Sequence, residues 1–354
     1  MEADEGDWFA DANVGIVAGP GEYLYGEETG LLEVLEGRPP FPRVAPPFRY
    51  GVDEVARGGG SGPRAEQVAA EGEAAGLQLA QPAPGGAPPT LVNNLETIAN
   101  VPGLLAEGAD WFRQLGTPES PGTIVCTVSG ATARSGVAEV ALGTPLGDVI
   151  ELIGGGPRAG RRLVAAMSGV ANPIIPAARF GTPLTYEHLQ AAGSGLGAAG
   201  FLVFDDETDL VAVAAGASRF LAVESCGQCT PCKQDGLEIA RLLADVCGPD
   251  GSPHHLERIA DRVATVADEA RCSLAQQHQH VVGSILRLFP EAFQAHVAAA
   301  VPATEPEPIV PLADLRRDEA GESVVELDLD GLRKQPDWSY DATDSGKTPI
   351  DRLR

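Results

Sequence analysis

Glu224-Ser225-Cys226-Gly227-Gln228-Cys229-Thr230-Pro231-Cys232-Lys233 is the stretch that decides how this chain is read, with a fourth cysteine, Cys272, well downstream. Two-residue gaps let three thiolates turn around one centre within a single tight loop, and a remote thiolate closes the coordination sphere, as a [4Fe–4S] cube requires. Four soft sulfur donors without a carboxylate cage favour iron–sulfur or zinc over hard cations. Zinc is the competing reading, since four cysteines also suit a tetrahedral structural site, although such sites usually pair two Cys-x2-Cys knuckles. Disulfides or inert thiols are a third reading. Even a cluster need do no more here than staple a helical domain together.

The rest of the composition sets bounds around that loop. At 354 residues with 44% hydrophobic side chains the chain can bury a core, and the length suggests two or three domains. A net charge of −25 and a pI near 4.5 argue against nucleic acid or an anionic membrane as direct partners, since both would be repelled. There is no apolar run of membrane-spanning length, and the start Met1-Glu2-Ala3-Asp4-Glu5-Gly6-Asp7 has neither the basic nor the apolar region of a secretion signal. A cytoplasmic protein without direct membrane insertion is expected, in a reducing compartment that leaves thiolates free for metal. Of the remaining cysteines, Cys126 alternates with Ile124 and Val128 as a core residue on a strand would, and Cys247 ends an apolar helical stretch; neither is assigned to the metal site.

Residues 12–37 read as strand, loop and helix: Val14 to Ala18, then Gly19-Pro20-Gly21-Glu22-Tyr23-Leu24-Tyr25-Gly26-Glu27-Glu28, then a helix carrying Leu31, Leu32 and Leu35. The loop fails the dinucleotide fingerprint because Leu24 takes the place of its third glycine. Glu27 and Glu28 at a helix entrance suit hydrogen bonds from ribose hydroxyls, or simply favourable charge at the helix N-terminus. Residues 53–89, rich in Gly, Ala, Pro and Glu, read as a flexible insertion. Asn93 and Asn94 at a helix mouth offer amides to a phosphate or flavin edge, or act as caps. From 121 to 190, alternating strands at Thr123–Val128 and Val137–Leu142 surround a helix with Leu146, Val149, Ile150 and Ile153, a pattern resembling a small β-grasp (ubiquitin-like) module. Phe201–Phe204 reads as a linking strand, residues 208–297 as a helical bundle carrying the cysteines, and 301–354 as an acidic, disordered tail.

Taken together, Gly21-Glu22-Tyr23-Leu24-Tyr25-Gly26-Glu27-Glu28-Thr29, Val92-Asn93-Asn94-Leu95-Glu96-Thr97 and Glu224 to Cys232 resemble the NADH-binding flavoprotein (51 kDa-type) subunit of respiratory complex I and of related NAD-linked formate dehydrogenases and hydrogenases. The resemblance covers roughly residues 12–50 and 88–297. It implies an α/β plus α architecture: a partial α/β FMN/NADH-binding domain over 1–118, a β-grasp module over 119–190, and a linking segment with a helical [4Fe–4S]-binding domain over 191–300. It also implies that Cys226, Cys229, Cys232 and Cys272 ligate the cluster, that Tyr23, Gly26, Glu27 and Glu28 meet NAD(H) and flavin, and that Asn93 and Asn94 hold FMN. Electrons would pass from NADH through FMN to the cluster, so that the cofactors carry the chemistry and no catalytic acid or nucleophile is needed. The implied partners are other subunits of an NAD-linked redox complex, including a small thioredoxin-like [2Fe–2S] subunit, with any membrane association peripheral and through that complex.

The chain departs from that pattern at its N-terminal side, where the family carries a glycine-rich FMN and NADH loop with a nearby lysine that has no counterpart here. Three expectations follow: a diaphorase-type subunit completed by other sequence, a noncatalytic relay or assembly subunit that has lost flavin and NADH, or a structural metal module. Retention of Tyr23, Glu27, Glu28, Asn93 and Asn94 favours the first.

Overall fold

The computed structural model describes residues 15–44, 90–317, 323–340 and 343–353, in two compact units, Met1–Asn93 and Asn94–Arg354. The proposed insertion 53–89 lies outside the described residues.

In the first unit a 3-10 turn, Tyr23–Gly26, leads into helix α1, Glu28–Leu35. Leu24, Leu32, Val34 and Phe41 are buried. Gly30 is required by a close backbone approach, because a Cβ there would stand 2.7 Å from the Leu24 carbonyl oxygen and 3.1 Å from that of Pro40. Of the strand expected over Val14 to Ala18, the described residues 15–18 form none: residues 15–20 have no strand pairing. An apolar run becomes a strand only when a neighbour accepts its hydrogen bonds, and none does among the described residues.

The second unit opens with three short helices, α2 Leu95–Ala99, α3 Val101–Glu107 and α4 Ala109–Phe112. Next come β1 Thr123–Gly130, β2 Gly136–Ala141, α5 Leu146–Gly154, β3 Leu163–Ser168, β4 Ile175–Pro176, α6 Tyr186–Ala191 and β5 Gly200–Asp205. Five helices follow: α7 Leu210–Glu224, α8 Thr230–Cys247, α9 Pro253–Thr265, α10 Leu274–Leu288 and α11 Pro290–Val297. A hairpin of β6 Leu312–Arg317 and β7 Ser323–Leu327 follows, and then two 3-10 turns, Leu329–Arg333 and Pro349–Leu353.

Strands β1 to β5 form one sheet in the order β2-β1-β5-β3-β4, with β1 and β5 parallel and the remaining pairs antiparallel. Phe201–Phe204 is therefore a central strand and not a linker. The reason lies in its two faces. Phe201 and Val203 pack with Leu146, Val149, Ile150 and Ile153 of α5, whereas Phe204 and Leu202 join Ala165 and Met167 against α7. A strand apolar on both faces needs cover on both, and successive side chains alternate between them. The sheet is thus sandwiched between α5 and the helical bundle. Cys126 is fully buried on the α5 side, and burial pushes its thiol up to about 11.

Helix α7 is the axis of the bundle, with Val211 to Ser218 all buried, as befits a helix apolar all round. Asp209 caps it, its Oδ1 accepting from the backbone N–H of Val211 (2.9 Å) and Ala212 (3.3 Å). Ion pairs of Arg258 and Arg262 with Glu238, and a Thr265 hydroxyl donating to Asp235 (2.7 Å), join α9 to α8. No helix among the described residues is long and apolar enough to cross a membrane.

The segment expected to be disordered differs from that expectation. Beyond the β6–β7 hairpin the chain carries the buried side chains Lys334 and Asp337. Lys334 pairs with Glu224 of α7, and Lys233 of α8 donates to the Pro336 carbonyl, a compensation that composition alone does not disclose.

Candidate metal centre

Helix α7 ends at Glu224, and the chain turns through Ser225–Gln228 before α8 begins at Thr230. Pro231 in the first turn of α8 costs no hydrogen bond, because the N–H groups there have no helical partner. Gly227 sits at φ +79°, a left-handed conformation that lets the loop reverse. As a result Cys226, Cys229 and Cys232 gather at the positive end of the α8 dipole, which favours negative charge.

Cys226 and Cys232 are buried and Cys229 half-buried. Desolvation raises the Cys226 thiol, an effect opposed by Gln228, whose side-chain amide donates to its sulfur at 3.3 Å. Burial pushes Cys232 up to about 11, against the pull of Ser225, whose hydroxyl lies 3.4 Å from the Cys232 sulfur. Ser225 Oγ also accepts from the Gly227 N–H at 3.3 Å. Thiols held protonated by burial become ligands only by losing a proton to metal, and hydrogen bonds to the sulfurs tune the potential of any cluster they hold.

Beside them Lys233 is 4% exposed. Its ammonium donates to the carbonyls of Pro336 (2.8 Å), Ala222 (3.4 Å) and Ser225 (3.5 Å). Burial lowers it to about 8, partly offset by Cys232, Cys226, Asp344 and Asp337. Sequence reasoning passed over Lys233, Ser225 and Gln228. The signal available was a single cation directly after the last clustered cysteine.

Cys272 is half-buried in the bend between α9 and α10. The charges of Cys226 and Cys229 act on Cys232, which places the loop thiols together, while Cys272 comes from a different bend of the chain. Among the described residues no three His, Cys, Asp or Glu side chains could hold a single metal ion. A cube differs in that each thiolate binds its own iron, so the donors need not converge on one point. The donor set of soft, partly buried sulfurs fits such a group. Cys247, at the end of α8, is fully buried and its thiol is pushed up to about 12, as suits a core residue.

The other candidate residues sit around α1 and α2. Glu27 is the N-cap of α1, one carboxylate oxygen accepting from the N–H of Thr29 and Gly30 (both 2.8 Å) and from the Thr29 hydroxyl (2.6 Å). Glu28 follows in the first turn, while Tyr23 and Gly26 bound the preceding 3-10 turn. Asn94 caps α2 by accepting from the Glu96 N–H at 2.7 Å, and Asn93 is exposed. Beside Tyr23, Glu22 Oε2 is buried with no hydrogen-bond partner, the kind of atom that a ligand or water satisfies.

Residues 212–296 match the family described as the NADH-ubiquinone oxidoreductase-F iron-sulfur binding region. Similar curated proteins include the F subunit of the NADH-quinone oxidoreductase of Streptomyces coelicolor, 33% identical over 288 residues, covering 81% of this chain and 57% of that protein. The F 2 subunit of the Rhizobium meliloti NADH-quinone oxidoreductase is 33% identical over 286 residues, covering 80% and 60%. Among solved structures, a chain of the NAD+-reducing [NiFe]-hydrogenase in the H2-reduced state superposes with a TM-score of 0.62 at 29% identity, covering 83% of this chain and 43% of that one. The chain spans 57% and 60% of the length of these two curated relatives.

Proposed function

We propose, from the premise that this chain is a relative of the F subunit of NADH-quinone oxidoreductase with residues 212–296 in that family's iron–sulfur binding region, that it is an electron-entry (diaphorase) subunit of a multi-subunit NAD-linked complex. The observation that carries the reading is the loop of three cysteines at the α8 N-terminus inside the matched region. Cys226, Cys229, Cys232 and Cys272 would hold a [4Fe–4S] cluster. Tyr23, Gly26, Glu28, Asn93 and Asn94 would meet NADH and FMN, with the unpartnered Glu22 oxygen supporting a polar ligand nearby. Bound FMN would supply the conversion of a two-electron donor into single-electron steps. The protein's part is to orient and shield these groups. The sheet order, with β1 and β5 parallel at its centre, supports a β-grasp module that takes in β5 as well as residues 119–190. Other subunits of the complex, a small [2Fe–2S] protein among them, are the proposed partners.

A flavin-free relay subunit is the second reading, favoured by Glu27 and Asn94, whose side chains cap α1 and α2. Anaerobic purification of the full chain with iron, zinc, sulfide and flavin quantified, then NADH addition under electron paramagnetic resonance, separates the two. Iron, FMN and an NADH-reducible signal are expected. Iron without flavin or NADH response would establish the relay, and stoichiometric zinc would replace both.

A further inference from the structure

The chain beyond the β6–β7 hairpin returns across the cysteine loop and makes contacts on both sides of it. Before the loop, Lys334 Nζ lies 2.8 Å from each carboxylate oxygen of Glu224, and these side chains are only 3% and 8% exposed. The same ammonium stands 4.6 Å from the Trp338 ring centroid, and Trp338 Nε1 donates to the Val223 carbonyl at 2.9 Å. After the loop, Lys233 Nζ donates to the Pro336 carbonyl at 2.8 Å. Over the loop itself, a Cβ on Gly227 would stand 3.3 Å from Thr348 Cβ and 3.7 Å from Ile350.

The two lysines are balanced differently. Lys334 has a carboxylate at ion-pair distance, whereas the three hydrogen bonds of Lys233 go to neutral carbonyls. A buried cation without a bonded anion is costly unless negative charge lies close by. The negative groups that act on Lys233 are Cys232 and Cys226, which carry charge once they give up their protons to metal, and the carboxylates of Asp344 and Asp337, none of which hydrogen-bonds to it.

We propose that residues 334–340 and 348–350 form a strap that seals the cysteine loop, and that Lys233 is the positioning residue that ties loop to strap and balances the charge of the group beneath. What lies beneath rests on the iron–sulfur reading above; the strap rests on its contacts alone. Removing the Lys233 charge should make a cluster harder to reduce, because the reduced form is the more negative. Releasing the strap should expose the thiols.

The test uses the full chain, purified anaerobically, as wild type, Lys233→Met, Lys233→Arg, Lys334→Met and Trp338→Ala. A redox titration followed by electron paramagnetic resonance should show Lys233→Met shifted to lower midpoint potential and Lys233→Arg close to wild type. After chelation of iron, alkylation of Cys226 and Cys229 by iodoacetamide, read by mass spectrometry, should run several-fold faster in Lys233→Met, Lys334→Met and Trp338→Ala. Should Lys334→Met fail to fold once the ion pair with Glu224 is lost, Glu224→Gln/Lys334→Met and Trp338→Ala carry that arm. An unshifted potential in fully loaded Lys233→Met overturns the charge role, and alkylation rates equal to wild type overturn the strap. A wild-type chain that takes up no iron sinks the cluster reading instead, and the alkylation rates then decide the strap and the tie through Lys233 by themselves.

Discussion

His278 of α10 is fully buried, with its Nε2 2.7 Å from the Ser218 hydroxyl of α7, and desolvation lowers it to about 4. The unfolded chain titrates this imidazole near 6.5, so it binds more protons than the folded chain over the interval between, and stability falls as pH drops from about 6.5 towards 4. Between pH 7 and 5 this one group should remove about 2 kcal/mol of stability. Urea unfolding at both values should show a shallower loss for His278→Gln; equal losses would assign the titration elsewhere. The four cysteines make the second residue-scale prediction. Cys272→Ser should lose or convert the cluster while the local loop stays intact, and an unaltered cluster spectrum would send the fourth ligand to another residue. Glu27 and Glu28 should separate as well. Glu27→Ala, which removes the α1 cap, should cost about 1 kcal/mol in thermal unfolding, whereas Glu28→Gln should weaken NADH binding measured by titration. The loop cysteines were legible because ligand spacing is local and chemically specific. Lys233 was not, since its shortest hydrogen bond goes to the Pro336 carbonyl, remote in sequence, and its other two go to backbone carbonyls that carry no side-chain signature.

At the scale of elements, α5 could be read directly from Leu146, Val149, Ile150 and Ile153, because a one-sided apolar stripe at helical spacing has few alternatives. The strand β5 was found but misassigned. Periodicity signals a strand buried on both faces without saying which neighbours bury it. The expected first strand failed for the converse reason, as residues 15–18 of its pattern have no neighbour to pair with among the described residues. Helix α7 offers the test that belongs here. Its cap Asp209 also meets His296 Nε2 of α11 at 2.9 Å. Asp209→Ala should therefore cost about 1–2 kcal/mol in denaturant unfolding, and Asp209→Asn, which keeps a capping oxygen, distinctly less. Equal costs would mean that the charge pair with His296 outweighs the cap.

For the whole molecule the net charge of −25 dominates. Like charges repel most at low ionic strength, and screening shortens to about 8 Å at 0.15 M salt. The melting temperature should rise as potassium chloride is raised from low millimolar to that level; a fall would show that surface ion pairs outweigh the repulsion. The acidic balance also concealed the buried contacts of residues 334–340, because composition reports total charge and not the two lysines that meet Glu224 and the Pro336 carbonyl. The placement of that closing segment has a consequence for biosynthesis. It is encoded roughly 100 residues after the loop that it covers, and at about 5–20 residues per second the ribosome needs some 5–20 s to make the difference. For that interval the three thiols emerge uncovered, so metal delivery has a window during translation that closes when the last contacts are made.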